Sequence, residues 1–157
     1  MIGVLGFDIP PFTIGIYGNI KHYYVGGEIL EDWKIKISVL WLFRAMAVST
    51  YSMLMLTEPG VLEEIITGKI FGMQIEPGFL LIGAIESLVP LVMAFLSLIL
   101  KDSINRWANI ILGIVYTALN IISSTDAPSA HGALMWGSAA VATAMIVWYA
   151  WKSKQKA

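Results

Sequence analysis

Four long apolar stretches constrain this chain more than any other feature of its sequence. They run over residues 35–56, 78–100, 104–122 and 131–151, and short polar breaks such as "LKDSINR" and "SSTDAPSA" separate the last three. Each stretch approaches the roughly 20 residues that an α-helix needs to cross a hydrocarbon core of about 30 Å. The sequence therefore predicts an all-α integral membrane protein, a four-helix transmembrane bundle within residues 35–151.

The composition agrees with a membrane protein and argues against other classes. The 157 residues are 57% hydrophobic and 13% charged, with a mean hydropathy of +0.74, whereas a soluble domain carries about 25% charged residues. The net charge of −1 argues against nucleic acid as a partner, because such partners require a basic surface. With no cysteine and two histidines, the chain is expected to hold no disulfide, metal or cofactor.

The segments outside the four stretches are of three kinds. Residues 1–34 contain Pro10-Pro11 and many glycines without the pattern of a signal peptide. We expect an irregular or hairpin-like tail there that contacts the membrane surface. The region between the first two stretches predicts a short amphipathic helix at the interface, with a solvated loop as the alternative. Its apolar face comprises Val61, Leu62, Ile65 and Ile66. Residues 152–157 form a basic tail.

Basic residues lie mostly at one end of the predicted bundle. That end has Lys34, Lys36, Lys101, Arg106, Lys152, Lys154 and Lys156, whereas the opposite end has Lys69 among several acidic residues. Because cytoplasmic loops of membrane proteins are enriched in lysine and arginine, both termini are predicted to be cytoplasmic. Tryptophans near the same end predict an aromatic belt at the membrane interface. They are Trp33, Trp41, Trp107, Trp148 and Trp151.

Several segments resemble those of a known family. They are "KIKISVLWLF", "EPGVLEEIITGKIFGMQIEPGFLLIGAIESLVPLVMAFLS", "NRWANIILGIVYT" and "IVWYAW", within about residues 34–151. The chain resembles a family of small prokaryotic four-helix integral membrane proteins, described as a domain of unknown function. The resemblance implies a multi-pass protein of the prokaryotic cytoplasmic membrane. It implies no activity.

Polar and small residues recur at helical spacing within the stretches. In order along the chain, the four stripes are Arg44, Ala47, Val48 and Tyr51; Gly83, Glu86, Ser87, Pro90, Ala94 and Ser97; Asn105, Asn109, Gly113, Tyr116, Thr117 and Asn120; and Ala133, Gly137, Ala140 and Ala144. Polar groups within membrane spans face the interior of a bundle, so the stripes predict that interior. They fit close helix packing, and they also fit a polar cavity for an ion, a proton or a small solute.

Arg44 and Glu86 are predicted to form an ion pair in the middle of the bundle. Arg44 lies nine residues beyond Ile35, and Glu86 lies eight residues beyond Gly78 on a helix of opposite direction. At 1.5 Å per residue their depths are about 13–14 Å and about 12 Å from opposite surfaces, so their levels in a ~30 Å core nearly coincide. Pro90 has no N–H, which leaves the carbonyl of Glu86 free to accept a hydrogen bond. The candidate ion pair or polar cavity comprises Arg44, Glu86, Tyr51, Asn109, Tyr116 and Asn120.

No catalytic residues are assigned from the sequence, since no nucleophile–base–acid pattern, phosphate loop or metal-ligand spacing is present. His131 follows Asp126 across a turn, which fits an exposed loop histidine or a pH-sensitive pair. Three classes of function stay open. They are a non-catalytic membrane module, as a homo-oligomer or an accessory subunit in the lipid bilayer; a small transporter or channel for a solute or ion around Arg44 and Glu86; and a membrane enzyme acting on a lipid or a quinone-like molecule.

Overall fold

The computed structural model describes residues 13–17, 20–25, 28–30 and 32–153 of the chain. The first elements are three strands, β1 (Thr13–Tyr17), β2 (Ile20–Val25) and β3 (Glu28–Leu30). They pair antiparallel in the order β1-β2-β3, with Gly15 opposite His22. The described part of the tail is therefore a pair of successive hairpins. Pro10-Pro11 and the last basic residues, 154–157, lie outside the described residues, and contact of the tail with a membrane stays a prediction.

Four long helices dominate the described structure. They are α1 (Asp32–Met55), α3 (Pro77–Ile99), α4 (Asp102–Thr125) and α5 (Ala130–Lys152). Each is long and apolar enough to cross a membrane, and each boundary lies within three residues of the predicted one. Pro77 begins α3, where a missing N–H costs no helical hydrogen bond. The Ser129 hydroxyl accepts a hydrogen bond from the Gly132 N–H and so caps α5. Because α1 begins at Asp32, the predicted boundary at residue 34 falls inside a helix.

The connection between α1 and α3 contains the predicted short helix, α2 (Val61–Ile66). Val61 and Ile65 are half-buried, whereas Leu62 and Ile66 are exposed. A hairpin that the sequence pattern did not predict follows, formed by β4 (Lys69–Ile70) and β5 (Met73–Gln74).

The turn of this hairpin is formed by Phe71 and Gly72, with φ angles of 50° and 73°. A two-residue turn with positive φ at both central positions matches the twist of the flanking strands. Glycine adopts that backbone conformation readily, but a bulky aromatic residue such as Phe71 rarely does.

The four long helices pack as a bundle with one loosely attached member. Helix α5 packs against both α4 and α1, and α3 packs mainly on α1, while α3 and α4 meet at few residues. Every residue from Pro77 to Ile85 in the first half of α3 is exposed. That half of α3 therefore diverges from the bundle, and the second half carries its buried residues.

The two ends of the bundle differ in charge. The Lys34 ammonium lies 2.5 Å from an Asp102 carboxylate oxygen, and the Lys36 ammonium lies 5.7 Å from the centroid of the Tyr149 ring. These contacts bring the start of α1 beside the start of α4 and the end of α5, and we call this the basic end. At the opposite end, which we call the acidic end, a Glu58 carboxylate oxygen lies 2.9 Å from His131 Nε2.

Polarity in the bundle is the reverse of that in a soluble protein. The buried polar residues include Asn105, Asn109, Asn120 and Thr143, and each of these four has no exposed surface. Large apolar residues face outward, among them Leu80, Leu81 and Ile82, which are 61–68% exposed. The buried apolar cluster that holds the helices together comprises Ile37, Trp41, Met93, Ala94, Ile110, Tyr116, Ile146 and Ala150.

Candidate functional site

Arg44 is the only charged residue that is fully buried among the described residues. Its Nη2 is hydrogen-bonded to the Glu86 carboxylate and to the Asn120 side-chain oxygen, the latter at 3.3 Å. The structure thus brings Arg44 and Glu86 together as an ion pair, with the Arg44 side chain 1% exposed and the Glu86 side chain 27% exposed. A pair of this kind in a low-dielectric interior is stable only when further hydrogen bonds satisfy both groups.

The backbone of Glu86 supplies the next of these hydrogen bonds. Pro90 lies inside α3 and is buried, so the Glu86 carbonyl oxygen has no helical donor four residues ahead. That oxygen accepts hydrogen bonds from Arg44 Nη1 and from the Tyr116 hydroxyl, each at 3.3 Å. A single helix turn therefore presents both a carboxylate and a free carbonyl to the guanidinium.

Tyr116 and Asn120 complete the surroundings of Arg44 from α4. The guanidinium carbon of Arg44 lies 4.6 Å from the centroid of the Tyr116 ring, within the range of a cation–π contact. The Asn120 amide lies 3.4 Å from the Thr143 hydroxyl of α5, which also accepts from Thr117 at 2.9 Å. Arg44 Nε has no hydrogen-bond partner among the described residues. Arg44 thereby connects α1 with α3 and α4, and Thr143 extends the network to α5.

Asn109 lies in a second polar network, nearer the basic end. Its side-chain oxygen accepts from Trp41 Nε1 at 2.7 Å and from the Ser97 hydroxyl at 3.2 Å, and its amide donates to Asn105. Asn105 in turn donates to the Ser97 carbonyl at 2.7 Å. The Trp41 and Tyr116 rings meet edge to face with centroids 5.5 Å apart, and this contact joins the two networks.

Tyr51 is separated from the other candidate residues. Its ring contacts the rings of His131, at 6.2 Å, and Trp136, at 5.8 Å, at the acidic end. His131 itself is half-buried and contacts Glu58 rather than Asp126, so neither arrangement considered from the sequence is present. Tyr51 lies seven residues beyond Arg44, and both face inward at different levels of the same stripe.

The inward stripes on α1 and α4 are confirmed, and those on α3 and α5 are confirmed in part. On α3 the residues after Pro90 are buried, but Gly83 and Ser87 are exposed because that half of the helix diverges. On α5 Ala140 is buried and Ala144 is exposed. Trp41, assigned to an interfacial belt from its position, is instead fully buried as a hydrogen-bond donor. Spacing could have revealed this, since Trp41 precedes Arg44 by three residues.

A cavity of about 460 Å³ lies between α1 and the diverging part of α3. Its walls are mostly apolar, with Met46, Met53 and Leu91 among them, and Arg44, Ser49, Ser52 and Ser87 are its polar lining residues. Its volume falls within the range of small-molecule sites, about 300–1,000 Å³. Beyond Arg44, toward the basic end, the fully buried Ile37, Trp41 and Ile146 fill the interior.

The described residues contain no group of three or more histidine, cysteine, aspartate or glutamate side chains with the spacing of a metal site. The arrangement can hold a buried ion pair in a fixed geometry and can present a half-enclosed cavity beside it.

Comparison with known proteins identifies a family. The sequence profile of a family of unknown function, DUF6326, matches residues 27–157. No curated protein and no solved structure matches the chain.

Proposed function

The chain belongs to the DUF6326 family of unknown function, and we propose that it is a four-span membrane protein acting as a non-catalytic module whose helices are locked together by Arg44 and Glu86. The observation that carries this proposal is the complete burial of Arg44 among protein partners. A cation that carried ions or bound substrate directly would need surface open to water or ligand, whereas Arg44 has no exposed surface although a cavity lies beside it.

Insertion into a membrane is supported by the reversed polarity of the bundle. Apolar side chains such as Leu81, Ile82 and Val141 would contact lipid, and the asparagines would be shielded from it. Helix α2, with Leu62 and Ile66 exposed, would lie at the interface at the acidic end. The basic end would face the cytoplasm of a prokaryotic cell, with both termini on that side.

A double-mutant cycle tests the structural role of the pair. Glu86→Leu should lower the free energy of unfolding by about 3–5 kcal/mol, because it leaves the buried Arg44 cation uncompensated, and Arg44→Leu should lower it by less, because the Glu86 side chain is 27% exposed. The double variant should recover most of that loss, since two leucines carry no charge to bury. Unfolding in a mixed micelle titrated with a denaturing detergent, followed by circular dichroism, gives these values. Lys69→Leu, at an exposed position, serves as the control.

This role would be contradicted if the free energy of unfolding of the double variant were as low as that of the less stable single variant. It would show that the two charges do not stabilise the fold through each other.

A small transporter is the second candidate, and the cavity that reaches Arg44 favours it. In this case the ion pair would open when solute enters between α1 and α3. Proteoliposomes loaded with a pH-sensitive dye and subjected to a salt or pH gradient distinguish the two functions. The module predicts no flux above that of protein-free vesicles, whereas a transporter predicts a flux that Arg44→Leu with Glu86→Leu abolishes while the helices remain folded.

A further inference from the structure

A second cavity, of about 410 Å³, lies at the acidic end and has a different chemistry from the first. Three aromatic residues line it, Tyr51 from α1, Trp136 from α5 and Phe71 from the β4–β5 turn. Asp126, which follows α4, and Ser123 are its polar lining residues. We call this the aromatic cavity. It is distinct from the Arg44–Glu86 centre and plays no part in the function proposed above.

The aromatic walls approach the cavity from different directions. The Tyr51 and Trp136 rings have centroids 5.8 Å apart and an angle of 63° between their planes, so they form a corner rather than a flat stack. Phe71 lies in the β4–β5 turn, between α1 and α3 in sequence, and is 47% exposed. The face of an aromatic ring is electron-rich and attracts a cation placed over it.

The backbone at Phe71 is strained. A two-residue turn with positive φ at both positions favours Asn-Gly, yet this chain has Phe-Gly with a φ of 50° at the phenylalanine. Backbone strain of this kind clusters at ligand-binding and switch positions. The backbone conformation alone would favour asparagine or glycine at this position, and the phenylalanine found there lines the aromatic cavity.

The electrostatic surroundings favour a cation. The Asp126 carboxylate has no ion-pair partner among the described residues, and the nearby His131 is paired with Glu58. The acidic side chains of the connection between α1 and α3 outnumber its one basic residue, Lys69. Local potential of one sign concentrates ligands of the opposite sign at the surface.

From these observations we propose that the aromatic cavity binds an alkylated ammonium group. A primary ammonium has three N–H donors that need acceptors when it leaves water. The cavity walls provide few hydrogen-bond acceptors, since the remaining lining residues are Ala127 and Pro128. A quaternary ammonium has no donors to satisfy and is stabilised by ring faces and one carboxylate. The group would come from a free small molecule or from the headgroup of a choline lipid.

The first test measures charge recognition with choline as the probe. Equilibrium dialysis of the purified full chain in dodecyl maltoside, a detergent without ammonium groups, gives the Kd for radiolabelled choline. Tetramethylammonium should compete for the site, and dimethylbutanol, the isostere with carbon in place of the ammonium nitrogen, should compete at least about tenfold more weakly. Equal competition by the isostere, or no saturable choline binding, would overturn the proposal.

The second test locates the site with matched variants. Trp136→Leu, Phe71→Leu and Asp126→Asn should each weaken choline binding about tenfold, and Phe79→Leu and Glu76→Gln, exposed positions outside the cavity, should leave it unchanged. Phe71→Asn separates loss of binding from loss of the fold, because asparagine tolerates positive φ. This variant should keep or increase the thermal stability of the chain and still lose choline binding. Retention of binding in Phe71→Asn would refute the role of the hairpin.

The third test distinguishes the two sources of the ammonium group. The chain is placed in nanodiscs of phosphatidylglycerol or of phosphatidylcholine, and choline binding is measured in both. A headgroup ligand predicts that phosphatidylcholine abolishes binding, whereas a free ligand predicts equal binding in both lipids. Absence of choline binding in phosphatidylglycerol nanodiscs would overturn the proposal. Failure of the membrane module itself would appear separately, as failure of the chain to enter nanodiscs.

Discussion

At the scale of single residues, the stability of this protein depends on hydrogen-bond partners for the polar side chains that the fold buries. Asn109 shows the point, because it accepts from Trp41 and Ser97 while donating to Asn105. A buried donor that loses its partner retains the full cost of leaving water. Arg44 is held in the same way by Glu86 and Asn120, with a charge added.

Replacement of Asn109 by alanine should therefore destabilise the chain more than the loss of one hydrogen bond would. The change leaves the Trp41 N–H without its acceptor, and an orphaned buried group costs about 1–3 kcal/mol, whereas the Ser97 hydroxyl keeps the Met93 carbonyl as an acceptor. We expect a loss of that size or larger in the free energy of unfolding, measured by detergent titration. Ser103→Ala, at an exposed position on α4, is the control and should change little. A loss below about 0.5 kcal/mol for Asn109→Ala would show that the network is not stabilising.

At the scale of helices, the close packing of α4 on α5 determines which glycines leave no space for a larger side chain. A Cβ added at Gly113 would lie 2.7 Å from Val147 Cγ2, whereas one at Gly83 on α3 would meet no atom within 4 Å. At Gly137 the nearest atom would be Ser124 Oγ, at 3.4 Å, which belongs to α4 of the same chain. Gly137 of α5 thus faces an internal neighbour, as the stripe of small residues on that helix predicted.

Two alanine substitutions should consequently change the stability of the chain in opposite directions. Gly113→Ala introduces overlap with a stiff β-branched side chain, which costs about 1–3 kcal/mol and exceeds the gain of roughly 1 kcal/mol from better helix propensity. Gly83→Ala should keep that gain, since its surroundings are open. Comparison of the two variants in thermal unfolding tests this directly. Equal effects would mean that the helices are not packed as described.

At the scale of the whole molecule, the separation of charge between the two ends supports one orientation in the proposed membrane. Four of the described basic residues, Lys34, Lys36, Lys101 and Lys152, lie together at one end, whereas Lys69 lies at the other end, near Glu58 and Asp126. Such asymmetry is the main determinant of orientation in multi-pass proteins.

A reporter protein that is active only in the cytoplasm should therefore be active when it is fused after Ala157, and a reporter that is active only outside the cytoplasm should be inactive there. Lys69→Cys, in a chain with no native cysteine, should react with an impermeant thiol reagent added outside intact cells. The matched variant Lys101→Cys, at the turn between α3 and α4, should react only after permeabilisation. The reverse labelling pattern would show that the orientation is inverted.

The sequence by itself determined the features that depend on one helix at a time. Hydropathy located all four long helices, and helical spacing identified the stripe of Asn105, Asn109 and Asn120, because both signals are periodic along the chain. The common level of Arg44 and Glu86 also followed, since depth along a helix is a count of residues. These inferences required no knowledge of how the helices rotate about their axes.

Only the tertiary structure decided the features that depend on how distant segments meet. Divergence of the first half of α3 from the bundle exposed Gly83 and Ser87, and no period within one segment specifies such a relation. The β4–β5 hairpin was missed because its strands are two residues long and its turn has Phe71 where asparagine is usual. The aromatic cavity brings together α1, α5 and that hairpin, so it exists only once the chain has folded.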